Sequence, residues 1–140
     1  MKTAVIYWSG TGNTRMMAEA VLEGMKRAGA EAVLMTPDQV NAEDITKYEA
    51  ISLGCPAMGA EVLEDSEFEP MYDCIKGKLV GKKVALFGSY GWGDGEWMRN
   101  WEGDCASNGI QLIEESVIAN ETPDDESLQA CRNLGTVLAS

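Results

Sequence analysis

Apolar and polar positions alternate along this chain in two rhythms. Residues 3–7 form a short apolar run, and residues 14–28 then place Met17, Val21 and Met25 on one side with Met16, Ala20 and Ala28 beside them. That spacing predicts a helix, and Gly29 stands where a helix-ending glycine belongs. Weak alternation over 30–35 predicts a second strand, 48–54 a third that runs into Cys55-Pro56, and 82–88 a fourth. A fifth lies within 109–119. Helical segments are predicted around 67–75, 95–107 and 124–138, the last preceded by Thr122-Pro123-Asp124, a suitable N-cap region. Five short apolar strands alternating with helices, without repeat or linker, predict a parallel sheet covered on both faces.

In open sheets of this class, ligands bind beyond the carboxyl ends of the strands, where strand order reverses. Three glycine-bearing loops fall there: 9–14, 56–61 and 89–95. The first reads Ser9-Gly10-Thr11-Gly12-Asn13-Thr14, with no positive charge before Arg15. Backbone N–H groups at a helix start favour an anion, phosphate above all. Ser9, Thr11, Asn13 and Thr14 add side-chain donors, and Gly10 and Gly12 let the backbone come close. A triphosphate loop would need a lysine that is missing, and the dinucleotide fingerprint would need glycine where Arg15 stands. What remains is a monophosphate held by neutral donors, or a plain polar strand-to-helix turn.

The second loop is Pro56-Ala57-Met58-Gly59-Ala60-Glu61 and the third Ser89-Tyr90-Gly91-Trp92-Gly93-Asp94-Gly95. Trp92 between two glycines suits a planar ligand, with polarizable Met58 opposite it; the alternative is an indole folded back on the sheet rim. Trp97 and Trp101, four apart, read as helix packing. Trp8 reads either way.

Composition narrows the chemistry. At 140 residues and 45% apolar content, one domain with an adequate core is expected. A net charge of −12 disfavours nucleic acid and favours basic protein surfaces. Charge spread throughout argues against a membrane span. With no secretion signal in view, a cytoplasmic location and reduced thiols at Cys55, Cys74, Cys105 and Cys131 are expected. The absence of histidine removes the commonest general base and metal ligand. From Glu61 to Asp73 come six acids (with Glu64, Asp65, Glu67 and Glu69) and no base. Asp94, Glu96, Glu102 and Asp104 follow, against Arg99 alone. Their summed field would oppose added negative charge on a bound ligand; equally, they form a solvated face.

"SGTGNT", "AMGAE" and "GSYGWGDG", in this order after strands one, three and four, resemble the short-chain flavodoxins of anaerobic bacteria. The likeness covers the whole chain, and no insertion interrupts the fifth strand. It implies a flavodoxin-like doubly wound α/β sheet in the order 2-1-3-4-5 and non-covalently bound FMN. It also implies a low-potential one-electron carrier, not an enzyme, shuttling between semiquinone and hydroquinone for ferredoxin-dependent redox enzymes that dock through a basic surface. A monomer is expected. By position, Ser9, Thr11, Asn13 and Thr14 would hold the phosphate, and Met58 and Trp92 would flank the ring. Backbone groups at Gly59, Glu61 and Gly91 would meet its polar edge, and Asn120 would reach the ribityl chain. Trp8, Gly10, Gly12, Pro56, Ala57, Ala60, Ser89 and Tyr90 complete the implied site. Pro56 departs from relatives that carry a hydroxyl there. In the family, the central peptide of the turn over 58–61 flips on reduction. A type II turn here would need positive φ at Ala60, and type II′ at Gly59. A receiver domain would need acidic residues at the ends of strands one and three, where this chain has Trp8-Ser9 and Gly54-Cys55. An FMN-dependent reductase would need room that Trp92 occupies; an FMN-binding sensor module is the other alternative.

Overall fold

The computed structural model describes residues 1–140. Strands β1 (Lys2–Tyr7), β2 (Glu31–Met35), β3 (Ala50–Gly54), β4 (Lys83–Tyr90) and β5 (Val117–Asn120) form one sheet in the order β2-β1-β3-β4-β5. Every pairing is parallel, as the alternation with helices predicts. The helices are α1 (Asn13–Arg27), α2 (Phe68–Ile75), α3 (Glu96–Ser107) and α4 (Asp125–Leu138).

Because successive strand side chains point to opposite faces, the sheet builds two cores. Ala4, Ile6, Ile51, Leu53, Val84 and Leu86 face α2 and α3, where Phe68, Tyr72, Trp97 and Trp101 are buried. Val5, Tyr7, Ala85 and Phe87 face α1 and α4, against Met17, Val21, Cys131 and Leu134. Trp97 and Trp101 are thus packing residues, as their spacing suggests. Gly29 follows the end of α1 with φ +90°.

Two differences bear on the site. Strand β4 runs to Tyr90, because Ser89 and Tyr90 continue the ladder opposite Ala119 and Asn120; both belong to the strand, and the third loop begins at Gly91. Short 3-10 helices at Pro37–Gln39 and Ala42–Lys47 fill the connection from β2 to β3, too short for the apolar periodicity to reveal them. No helix is long and apolar enough to cross a membrane.

Candidate functional site

The loop after β1 is pinned at its root by the Trp8 N–H, which donates to Gly54 O at 3.0 Å. It then curls around its own hydroxyl: Ser9 Oγ accepts from the Gly12 N–H at 3.0 Å and the Arg15 N–H at 3.4 Å. Gly12 turns the chain into α1 with φ +98°, a conformation in which a side chain would be strained. No side chain caps α1 and its first turn holds no acid. The N–H groups of Gly10, Thr11, Asn13 and Thr14 find no acceptor in the protein. Thr14 is buried, and its hydroxyl lies 2.8 Å from Ser89 Oγ, joining the start of α1 to the end of β4. Arg15 points away to Glu19 at 3.4 Å.

The second loop hangs from β4 through the Ala57 N–H on Ser89 O, 2.9 Å. Beyond it the chain closes a small hairpin, in which Met58 N–H donates to Val62 O (2.9 Å) and Glu61 N–H to Met58 O (2.8 Å). Positive φ occurs at neither Gly59 nor Ala60 but at Glu61, +58°, and all peptides are trans. The turn is therefore neither type II nor type II′, which corrects the expectation for 58–61. Its signs are those of a type I turn followed by a left-handed residue, the common three-residue hairpin. That left-handed step aims the Glu61 side chain at the start of α3, where Oε2 accepts the Trp97 N–H at 2.8 Å. Gly93, at φ +94°, lies directly against it: a Cβ there would sit 2.1 Å from Glu61 Oε1. Glu61 thus clamps the second loop to the third through its side chain.

A cleft of about 310 Å³ opens between the loops, within the size range of small-molecule sites. Trp8, Gly10, Thr11 and Asn13 line one side; Pro56, Ala57 and Met58 a second; Ser89, Tyr90 and Gly91 a third. The structure therefore brings together ten of the residues singled out from sequence, and resolves Trp8 as a wall. Ser9 and Gly12 line an adjoining polar cleft with Arg15, Thr36 and Asp38. Gly59, Ala60, Glu61 and Trp92 lie outside the cleft lining. Trp92 is not folded onto the sheet rim; it is 69% exposed at the loop tip.

Asn120 does not line the cleft. Its side-chain amide donates to Gly91 O at 2.8 Å and Tyr90 O at 3.3 Å, bracing the third loop. Its neighbour Glu121, at φ +55° and with its N–H on Tyr90 O at 2.6 Å, lines the cleft. Only its position one residue past the fifth strand could have marked it.

The acidic run also divides. Glu64 is buried; its carboxylate accepts the N–H groups of Ser66 (2.9 Å), Glu67 (2.8 Å) and Phe68 (2.8 Å), and the Ser66 hydroxyl. Burial pushes its acid upward, but these donors outweigh it and hold the carboxyl at about 2. Asp65, Glu67, Glu69 and Asp73 are exposed. Under the second loop, burial raises the Cys55 thiol to about 12, so it stays neutral.

An uncapped helix start with free N–H groups and hydroxyls fits a phosphate, and walls of Trp8, Met58 and Tyr90 fit a planar ring. The comparisons agree with that chemistry. The flavodoxin family model matches residues 5–135. The flavodoxin of Clostridium beijerinckii is 45% identical over 136 residues, spanning 97% of this chain and 98% of its own. That of Megasphaera elsdenii is 44% identical over 135 residues, 96% of each chain. The solution structure of the two-electron reduced Megasphaera elsdenii flavodoxin superposes with a TM-score of 0.89 over 98% of both chains. This chain belongs to the flavodoxin family.

Proposed function

We propose that the loop 9–14 holds the phosphate of FMN and that Trp8, Met58 and Tyr90 wall its ring. The chain then works as a low-potential one-electron carrier, in place of ferredoxin, for redox enzymes that dock through a basic surface. FMN binding and electron carriage follow from membership of the flavodoxin family, whose members are carriers rather than enzymes. FMN, when bound, supplies the one-electron chemistry.

The observation that carries the residue assignment is the bare start of α1. Four N–H groups without acceptors, an aligned helix dipole and no competing carboxylate fit a dianion. The Thr14 hydroxyl can accept from Ser89 and donate its own proton toward the loop, since a hydroxyl does both. Unpartnered N–H groups at Gly59 and Gly91 suit the polar edge of the ring. The exposure of Trp92 at its loop tip supports its covering the outer face of the ring. Asn120 serves as a brace and Glu121 faces the ligand. With no lysine or arginine lining the cleft, the protein offers no cation to offset extra electron density on the ring, which favours a strongly reducing carrier. At −12 the molecule repels its own copies, consistent with a cytoplasmic monomer that meets basic partners.

Affinities of the apoprotein for FMN and riboflavin test the phosphate assignment. Two or more hydrogen bonds to a charged group, at roughly 1.5–3 kcal/mol each, predict at least about a hundredfold preference for FMN. Equal affinities would remove the reading of the 9–14 loop.

A further inference from the structure

The sheet is open along β5, which has β4 as its one partner strand. Between β5 and α4 lies a groove of about 500 Å³ that shares no residue with the cofactor cleft. Its floor is apolar, with Val117, Leu134 and Val137, the last 37% exposed; Ile118 borders it on the strand edge, its side chain turned to the other face toward Gly95. Its rim carries Glu114, Glu115, Asp124 and Glu126, and no lysine or arginine. Asp124 stays ionised, because the Ser127 N–H donating to it at 2.8 Å holds its carboxyl below the usual range. The one base on α4, Arg132, turns to the other side, where its Nε meets Glu23 of α1 at 3.2 Å.

We propose that this groove docks a basic, extended segment of a protein partner, laid along β5 as an added strand. Apolar side chains of that segment enter the floor, and its lysines or arginines meet the rim carboxylates. The open strand edge supplies unpaired backbone groups for such an addition. Alternation of apolar and basic side chains along a strand matches an apolar floor beside an acidic rim. A second copy of this chain is ruled out as occupant by charge, since it would bring the same four carboxylates and a further −12. A partner held there leaves the cofactor cleft uncovered, so anchoring and electron transfer use different surfaces.

The FMN-loaded protein, labelled with nitrogen-15, is titrated with the synthetic peptide Lys-Val-Lys-Val-Lys-Val-Lys. Saturable amide shifts confined to 114–118 and 124–137 are expected. Reversing Glu114, Glu115 and Glu126 together to lysine should weaken binding by at least about tenfold. The same charge change at Asp65, Glu69 and Asp73 should alter it by less than about twofold, since those groups act only through the screened overall field. Val137→Asp, which spoils the floor while adding to the acidic field, should abolish the shifts while FMN absorbance reports an intact fold. Shifts spread along 61–73, equal weakening by both triple variants, or unchanged binding by Val137→Asp would each overturn the proposal. So would self-association of the free protein in sedimentation.

Discussion

Three helices of this protein begin on a carboxylate of the chain itself, and one does not. Glu64 takes three N–H groups at the entry to α2, Glu61 takes the Trp97 N–H at α3, and Asp124 takes the Ser127 N–H at α4. At α1 the N–H groups of Asn13 and Thr14 point at no protein acceptor, the Arg15 N–H reaches only the neutral Ser9 hydroxyl, and the first turn holds no acid. A helix start wants an anion. Three starts are satisfied on folding; under the proposed assignment, the phosphate of FMN would complete the fourth. The same acidic chain would then use carboxylates to finish its fold and keep carboxylates out of the one helix start meant for phosphate.

The sharpest way to test the filled starts is Glu64. Glu64→Ala leaves three N–H groups and the Ser66 hydroxyl without their carboxylate in a buried place. Hydrogen bonds to charged groups and the cost of orphaned donors predict a loss of about 3 kcal/mol in apoprotein stability, read from urea unfolding. The pH profile carries the same signature. The folded carboxyl lies at about 2, below its unfolded value near 4.5. Its contribution is thus complete above the unfolded value and is lost as pH falls through about 2. Glu64→Gln should flatten the stability curve across that window and leave the slope above pH 6 unchanged.

The start of α1 is tested by Thr14→Ala. It removes a hydroxyl of the proposed phosphate loop and leaves buried Ser89 without its partner. FMN binding should weaken by roughly 1.5–3 kcal/mol, the range for a hydrogen bond to a charged group. Riboflavin should lose much less. Parallel losses for the two flavins would mean that Thr14 supports the fold and not the phosphate.

How much of this was legible depended on what kind of pattern carried it. Strands, helices and all three loops came from apolar periodicity and glycines, which constrain the backbone directly; the strand order came only from the family resemblance, because periodicity says nothing about which strands are neighbours. The carboxylates were another matter. Glu64 looked like any member of an acidic run, because burial of a charge depends on which way the chain turns before α2. Nothing in the spacing separates it from exposed Asp65. Glu61 was assigned through its backbone, since a clamp to the Trp97 N–H requires the left-handed step that only the folded hairpin reveals. That Glu121 and not Asn120 lines the cleft was hidden for a similar reason: at the end of β5 a single positive φ decides which of two neighbours faces it.

The hairpin that carries Glu61 also sharpens the comparison, because its clamp fixes one end of a turn whose other end is free. With type I signs in place, neither Gly59 nor Ala60 holds a left-handed conformation, and a Cβ at Gly59 meets nothing within 4 Å. Gly59→Ala should therefore stabilise the apoprotein by about 0.5 kcal/mol by restricting the unfolded chain. Should reduction drive residue 59 to positive φ, the same alanine costs about 1–2 kcal/mol there. It then lowers the first one-electron midpoint potential by roughly 40–90 mV, at about 59 mV per tenfold change. Ala60→Gly should leave that potential nearly unchanged, since Ala60 carries no left-handed penalty to relieve. A shift with Ala60→Gly and none with Gly59→Ala would show that the turn changes hand at residue 60.

The smallest effect tests the comparison most directly, by giving α1 the anion its neighbours already have. Asn13 is the first residue of α1, and Asn13→Asp places a carboxylate in its first turn. The helix dipole and the free N–H groups should reward that charge with about 0.3–1 kcal/mol of apoprotein stability. The carboxylate then competes with the phosphate for the same N–H groups, so FMN affinity should fall by a similar amount, less in high salt. Riboflavin binding should stay nearly level. Asn13 also lines the cleft through its own side chain, so Asn13→Ala is needed beside it to remove the amide without adding charge. Opposite changes in apoprotein stability and FMN affinity for Asp, absent for Ala, would establish that cofactor and carboxylate answer the same need at the start of a helix. If Asn13→Asp leaves apoprotein stability unchanged, the free N–H groups of α1 are already satisfied by water, and the contrast with α2, α3 and α4 loses its energetic meaning.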